Sequence, residues 1–394
     1  MSSIKFFFLF SLACSSVAPI ILYYNIVSNF NIGDVLLIVS ALFLFFSLNN
    51  FYFIHELYLP FLFVLLVIIS LFINVVFSSF LRELDLGVIL RYFYYIFLMA
   101  SIATFCIHYK KPLYVIFSVY LGLFITAVLC YIEWTKTPVY LGSVPMFHTV
   151  HNFSAFPINR NYLGFFVSLG TVMSFVFFYY TEKTIKRFFF LVSLFFFSAL
   201  SVLTFSKGTW LASFLPIFLM LIHQAFIFKN YKAKLTIMLI TLSSIFVGSY
   251  LLTATDLGEQ IERRINSSDR TNDERLTYIY DSLEIISENT VFGVGLGNYY
   301  SAAQYYGLSL TKDPHNTILW IWSESGLMSL LAYLAILYLS FKCLVPLKNK
   351  ILPNVVFFPM LSIVLLIPTQ GTPLTMKYFW ILAAVSYSLK YIGE

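Results

Sequence analysis

The sequence predicts an all-α fold, a polytopic transmembrane helical bundle of about 12 spans with one large polar loop. Three observations lead there. Of the 394 residues, 60% are hydrophobic and only 11% are charged, whereas globular chains carry about 25% charged residues. Mean hydropathy is +0.86, and apolar runs recur at the roughly 20-residue length that crosses a hydrocarbon core. The polar chemistry is concentrated in one island, residues 255–314, between two long apolar segments. A backbone in lipid must pair its own amides, so these runs are helices. The period-two alternation of a membrane barrel is absent.

The spans run at about 5–24, 33–49, 58–80, 86–107, 112–134, 161–180, 188–206, 208–228, 235–254, 316–341, 351–368 and 377–391. Lys5 precedes the first apolar run as in a signal peptide, but no small-residue cleavage site leading into a soluble domain follows, so the first helix is read as retained. No internal repeat and no soluble domain interrupts the series, and residues 1–394 read as a single membrane domain. Lys110–Lys111, the Lys183/Lys186/Arg187 group, Lys229/Lys232/Lys234 and Lys342/Lys348/Lys350 all fall on one side of this arrangement. The excess of basic residues in cytoplasmic loops makes that side cytoplasmic. Both termini are then inside. The 255–314 loop is periplasmic, and so is a smaller loop, 135–160, carrying His148, His151 and Arg160. The net charge of +6 is largely this topogenic lysine and does not indicate nucleic acid. The large loop itself holds ten acidic and five basic residues.

Cys14, Cys106, Cys130 and Cys343 leave the large loop without a disulfide framework. His148-Thr-Val-His151 is the nearest approach to a metal spacing, and no metal site is read there. In the loop, Leu276, Ile279, Tyr280, Leu283 and Ile286 recur at helical spacing after Arg275. Such an amphipathic helix lies on the membrane surface or caps the bundle. Gly293, Gly295 and Gly297 follow. They either supply a left-handed turn or bring backbone amides toward a phosphate.

His315 follows Pro314 and opens the next helix, near its unpaired amides and positive end. That setting favours a neutral imidazole able to accept a proton; a capping or interfacial histidine is the other reading. Asn316 is suited to cap the helix. Glu324, eight residues farther on, needs a partner or a cavity in a membrane. Lys207, in Thr204-Phe-Ser206-Lys207-Gly208-Thr-Trp210, lies at the outer junction of two spans. It marks a substrate path or snorkels to the interface. Arg91 lies within the fourth span, near Glu83 and Asp85 as ion-pair candidates. Asn159-Arg160-Asn161 stands at the outer mouth of the sixth span as a loop cap or polar contact.

Asn159-Arg160-Asn161-Tyr-Leu-Gly164, Ser206-Lys207-Gly208-Thr-Trp210-Leu, Arg275, Gly293-Val-Gly295-Leu-Gly297-Asn298, Pro314-His315-Asn316-Thr-Ile-Leu and Glu324-Ser-Gly326-Leu occur in one order. That order resembles the bacterial O-antigen ligase and O-antigen polymerase superfamily, and the resemblance covers about 150–340. It implies a metal-independent inverting glycosyltransferase of the cell inner membrane, acting at the periplasmic face without a cofactor. The implied donor is a glycan on undecaprenyl diphosphate, and the acceptor is the lipid A–core of lipopolysaccharide. Arg275, Arg264 and Lys207 match basic positions expected to hold the diphosphate. Arg160 and Asn316 join them as substrate-binding residues, and His315 matches the histidine that deprotonates the acceptor hydroxyl. Lys207 departs from the arginine often found there and offers a point charge in place of a fork. A polymerase joining lipid-linked repeat units is the alternative. A polysaccharide or lipid transporter is a further one, although the two halves of the chain are unlike and its polar groups gather at one face.

Overall fold

The computed structural model describes residues 2–17, 32–48, 55–77, 86–136, 139–141, 144–146, 160–227, 231, 268–308, 314, 316–344, 351–368 and 377–392. The first half holds α1 (Ser2–Ser16), α2 (Ile32–Leu48), a 3-10 turn at His55–Leu57, α3 (Tyr58–Phe77), α4 (Leu86–Tyr109) and α5 (Pro112–Lys136). The hairpin β1 (Val139–Leu141) and β2 (Val144–Met146) precedes α6 (Arg160–Tyr180), α7 (Thr184–Leu203) and α8 (Lys207–Ile222). Then come α9 (Ser268–Glu288), α10 (Tyr299–Tyr305), α11 (Thr317–Lys342), α12 (Ile351–Leu366) and α13 (Lys377–Ile392).

Every expected span except 235–254, which lies outside the described residues, falls on a helix. Among the described residues, seven helices are long and apolar enough to cross a membrane, fewer than the twelve expected. The described parts of α1, α2, α12 and α13 have 15, 17, 16 and 16 residues, against the roughly 20 of a full span, and 235–254 lies outside the described residues. The fold is all-helical as expected, with one short β-hairpin among the described residues. It pairs Val139 with Met146, Tyr140 with Pro145 and Leu141 with Val144. Its sequence signal is local: β-branched and aromatic residues flank a Gly142-Ser143 pair.

The outward surface is what a hydrocarbon solvent requires. Along α3, Phe61, Leu65, Ile69, Phe72 and Val76 are exposed, and along α7 so are Ile185, Phe188, Val192 and Phe195. Each set follows one face of a helix. Contiguous apolar stripes of this length have no place on a water-facing monomer.

The chain divides into two compact units, one of Met1–Gly122, Asp273–Phe357 and Ile367–Glu394, the other of Leu123–Asn272 and Phe358–Leu366. In the second unit α6 packs on both α7 and α8. A side chain at Gly170 would overlap the Phe197 ring, and one at Gly164 would overlap the Thr209 hydroxyl, so these glycines set how closely the helices approach. Hydroxyls link all three: Thr171 to Ser201 at 3.3 Å and Ser201 to Ser213 at 2.8 Å. Small and hydroxylated residues at the contact are the means by which helices associate in lipid.

In the first unit α1 packs on α2, α4 on α13 and α3 on α11. An aromatic core joins them, with Trp380 stacked on Tyr95 at 5.6 Å and flanked by Phe63 and Phe379. Two ion pairs anchor the ends of α13. At its start, Lys377 Nζ meets Asp34 Oδ1 at 2.5 Å, both side chains nearly buried. Ser15 and Tyr94 hydroxyls donate to the same carboxylate oxygen at 2.6 and 2.8 Å, and the ammonium also donates to the Ser15 carbonyl at 2.6 Å. The charges suit the helix ends, with Asp34 in the first turn of α2 and Lys377 against the last carbonyls of α1. At the other end, Lys390 Nζ meets the buried Glu56 at 2.7 Å and Tyr391 donates to its second oxygen at 2.6 Å.

The central break of α11 organises the rest. Gly326, at φ 78 and ψ 174, interrupts the helix. In an unbroken helix the Ser323 carbonyl would accept from Leu327; here the Leu327 amide donates instead to Thr290 O at 3.0 Å. The freed carbonyls of Ser323 and Glu324 accept from the amides of Val294 and Gly295, each at 2.8 Å. The helix thus exchanges internal hydrogen bonds for a clasp with the glycine-rich segment. From α3, the Ser70 hydroxyl donates to Phe292 O, and Asn74 Nδ2 donates to Gly293 O at 3.1 Å. A side chain on Gly326 would overlap the Val291 carbonyl, and one on Gly293 would overlap the backbone of Glu324.

Two outcomes test this account. Asp34→Ala, which leaves Lys377 buried without its counter-charge, should cost about 3 kcal/mol, read as a lower Tm of the purified protein; adding Lys377→Met should recover most of the loss. Gly326→Ala combines a positive φ with backbone overlap, so the yield of folded monomer in size-exclusion chromatography should collapse, whereas Gly307→Ala, also at positive φ but in open space, should be tolerated.

Candidate functional site

Two sequence-predicted site residues, His315 and Arg264, lie outside the described residues. The structure places the others on two sets of elements. Arg160 and Lys207 belong to the second unit, Arg275 and Asn316 to the first.

Lys207 is the first residue of α8 and is exposed. Phe205 takes φ 49, a left-handed conformation rare outside glycine. This reverses the chain between α7 and α8. The turn is held from several directions: Thr204 Oγ1 donates to Ser201 O at 2.7 Å, and Trp210 Nε1 donates to Ser201 O and Val202 O at 3.0 and 3.2 Å. Ser206 caps α8 by accepting from Thr209 N at 3.5 Å. An ammonium at a helix N-terminus adds its charge to the positive end of the macrodipole, a setting that attracts anions. Arg160 opens α6, and the contact between Gly164 and Thr209 brings the starts of α6 and α8 side by side. Two motifs nearly fifty positions apart in sequence therefore share one end of this unit.

Arg275 is exposed on α9. The helix starts at Ser268, about two turns before the expected start at Arg275. The side of α9 that packs on α10 is not the predicted stripe: Ile285 joins Val294, Tyr299, Ala302 and Ala303 in a buried cluster, with the Ser282 and Tyr299 hydroxyls 2.6 Å apart, whereas Leu276, Tyr280 and Leu283 of the stripe are exposed. Asp281 sits beside this stripe. Burial, and then the neighbouring Glu284, push its carboxyl up from the ordinary carboxylate range.

Asn316 caps α11. Its Oδ1 accepts from Ile318 N at 2.9 Å and from Leu319 N at 3.2 Å. Thr317 N donates to Ile367 O at 3.0 Å, and Pro314 is buried. The start of this helix is therefore held by its own cap and by the end of α12.

The glycine run has the left-handed conformation, with φ 66, 89 and 81 at Gly293, Gly295 and Gly297. The amides of Gly293, Val294 and Gly295 donate to Asn289 O, Ser323 O and Glu324 O. These donors are committed to the protein and do not form an anion nest. Glu324 is buried beside the break. It and Arg91 both act electrostatically on Tyr92, so the two intramembrane charges share a neighbourhood, while Glu83 and Asp85 lie outside the described residues. Ser70 and Asn74 were not identified from sequence. Their signal was a polar pair four positions apart near the end of an apolar run, where only a polar partner explains both.

Neither the curated proteins nor the solved structures provide a match to the chain. Residues 191–334 match the family described as O-antigen ligase. That stretch contains the α7–α8 turn, α9, the clasp and the capped first half of α11, and the match supports the likeness to the O-antigen ligase and polymerase superfamily.

Proposed function

We propose that the protein is an inverting membrane glycosyltransferase, an O-antigen ligase that moves a glycan from undecaprenyl diphosphate to a sugar hydroxyl of lipid A–core at the periplasmic face of the inner membrane. The observation that carries this reading is the O-antigen ligase match over 191–334, which encloses Lys207, Arg264, Arg275, His315 and Asn316 together. The acceptor oxygen attacks the anomeric carbon and gives its proton to His315, while the bond from that carbon to the diphosphate oxygen breaks. Undecaprenyl diphosphate leaves with the bonding pair. Arg275 and Arg264 stabilise the charge that develops on it, through hydrogen-bond forks matched to phosphate oxygens. Lys207 and Arg160, at adjacent helix starts, supply further positive charge. Asn316 spends its side-chain oxygen on the helix cap, so its amide NH2 is the group offered to substrate. A diphosphate is already a competent leaving group, and the scheme calls on no cofactor.

The polymerase reading keeps the same donor chemistry and exchanges the acceptor for a second lipid-linked glycan. A deletion strain separates the two. Bare core with long glycan held on undecaprenyl diphosphate identifies a ligase, and core bearing a single repeat identifies a polymerase.

His315→Ala should lower glycan transfer by about 10²–10⁴-fold, the range for loss of a general base, with membrane yield and Tm unchanged; near-normal transfer would remove His315 from this role. Arg275→Ala should cost roughly 1.5–3 kcal/mol of donor interaction, seen as a lower kcat/KM for lipid-linked donor, and Arg275→Lys should restore part of it.

A further inference from the structure

We propose that the α9–α10 hairpin is seated in the bilayer interface, with its turn at Val291–Phe292 in contact with hydrocarbon rather than standing clear of the membrane in water. This rests on geometry and is independent of the reaction proposed above.

The first observation is depth. The Thr290–Gly295 segment is paired to the middle of α11, not to its start. Leu327 N donates to Thr290 O, and Val294 N and Gly295 N donate to Ser323 O and Glu324 O. Gly326 lies nine residues beyond Thr317, roughly 13 Å along a helix rising 1.5 Å per residue. On α3, the partners Ser70 and Asn74 likewise lie inside the span, before its last residue, Phe77. Both α3 and α11 have the length and hydropathy of membrane spans.

The second observation is the state of the backbone. Thr290 O accepts from both Leu327 N and Trp322 Nε1, Phe292 O from Ser70 and Gly293 O from Asn74, while the amides at 293, 294 and 295 all donate to carbonyls. Three carbonyls and three successive amides of this short segment are thus paired within the protein, more than a loop in water needs. Irregular backbone at membrane depth survives only when the protein satisfies it.

The third observation is the surface this segment presents. Val291 and Phe292 are 52% and 46% exposed, and on α11 the nearby Met328 and Leu331 also face outward. The turn therefore continues the lipid-facing surface of a span. Helix α9 has three distinct sides. One, with Tyr278, Ser282 and Ile285, is buried. A second, opposite to it, carries exposed Leu276, Tyr280 and Leu283, with Tyr280 at 67%. The third carries Thr277, Asp281, Glu284 and Glu288. An apolar side directed away from the helix's own packing, next to an acidic side, fits a helix lying between hydrocarbon and water. Exposed Tyr300 and Tyr305 on α10 suit the same boundary.

Single nitroxide labels in phosphatidylethanolamine–phosphatidylglycerol nanodiscs test the seating. They are placed on a full-length chain whose four native cysteines are replaced and whose Tm matches the wild type. At Leu276, Tyr280, Leu283, Val291 and Phe292, collision with dissolved oxygen should exceed collision with a water-soluble nickel chelate; at Thr277, Glu284 and Glu288 the order should reverse. Greater nickel than oxygen accessibility at 291 and 292 would overturn the proposal, and so would exclusion of both reagents there, which would mean a protein partner. Where a label at 292 prevents folding, Phe292→Trp provides the same test: added fluorescence quenched by chain-brominated lipid supports the seating, and quenching by aqueous iodide alone overturns it.

Discussion

A backbone at bilayer depth has no water to satisfy its polar groups, and the most consequential feature of this structure answers that constraint. Breaking α11 at Gly326 leaves carbonyls that a continuous helix would have paired, each costly if left open. The glycine-rich segment after α9 supplies the missing amides, and α3 supplies the side chains that satisfy the segment in return. None of these parts is stable at that depth alone. The break, the left-handed Gly293 and Gly295 and the Ser70/Asn74 pair are one interdependent unit, and the α9–α10 hairpin takes its position from it.

The buried charges obey the same logic. Asp34 is shared among Lys377, Ser15 and Tyr94, which come from three different helices, so the ion pair is also the place where helix ends are held together. Glu56 does the same with Lys390 and Tyr391 at the far end of α13. In a medium where apolar contact between helices provides no advantage over contact with lipid, such polar junctions and close-packed glycines carry the burden of specificity. The hydroxyl chain from Thr171 to Ser213 is the corresponding device in the second unit.

Much of the helical framework was legible because apolar run length is a direct physical requirement of a span. The starts of α4, α5, α6, α8, α12 and α13 fall within a residue or so of the sequence reading. Asn316 as a helix cap was legible too, since only a few residue types reach back to the first amides. Three things were not. Glycine spacing alone does not distinguish an anion nest from a clasp, because the distinction depends on whether other carbonyls reach those amides, and here they come from a helix more than twenty-five residues away. The Asp34–Lys377 pair joins positions at opposite ends of the chain, which no local pattern connects. The approach of the starts of α6 and α8 rests on Gly164 fitting against Thr209, a contact of side-chain volumes and not of motifs.

The first half of α11 is the best-mounted element near the catalytic position proposed here. At its start, Asn316 Oδ1 holds two amides and Thr317 N is tied to the end of α12. At its end, Ser323 and Glu324 are held by the clasp. A short helical segment constrained at both ends has little freedom to translate or rotate. The strain-prone glycine at 326 is therefore well placed: it lets the helix end its first half where a clasp can hold it, and the remaining half continues as an ordinary span facing lipid.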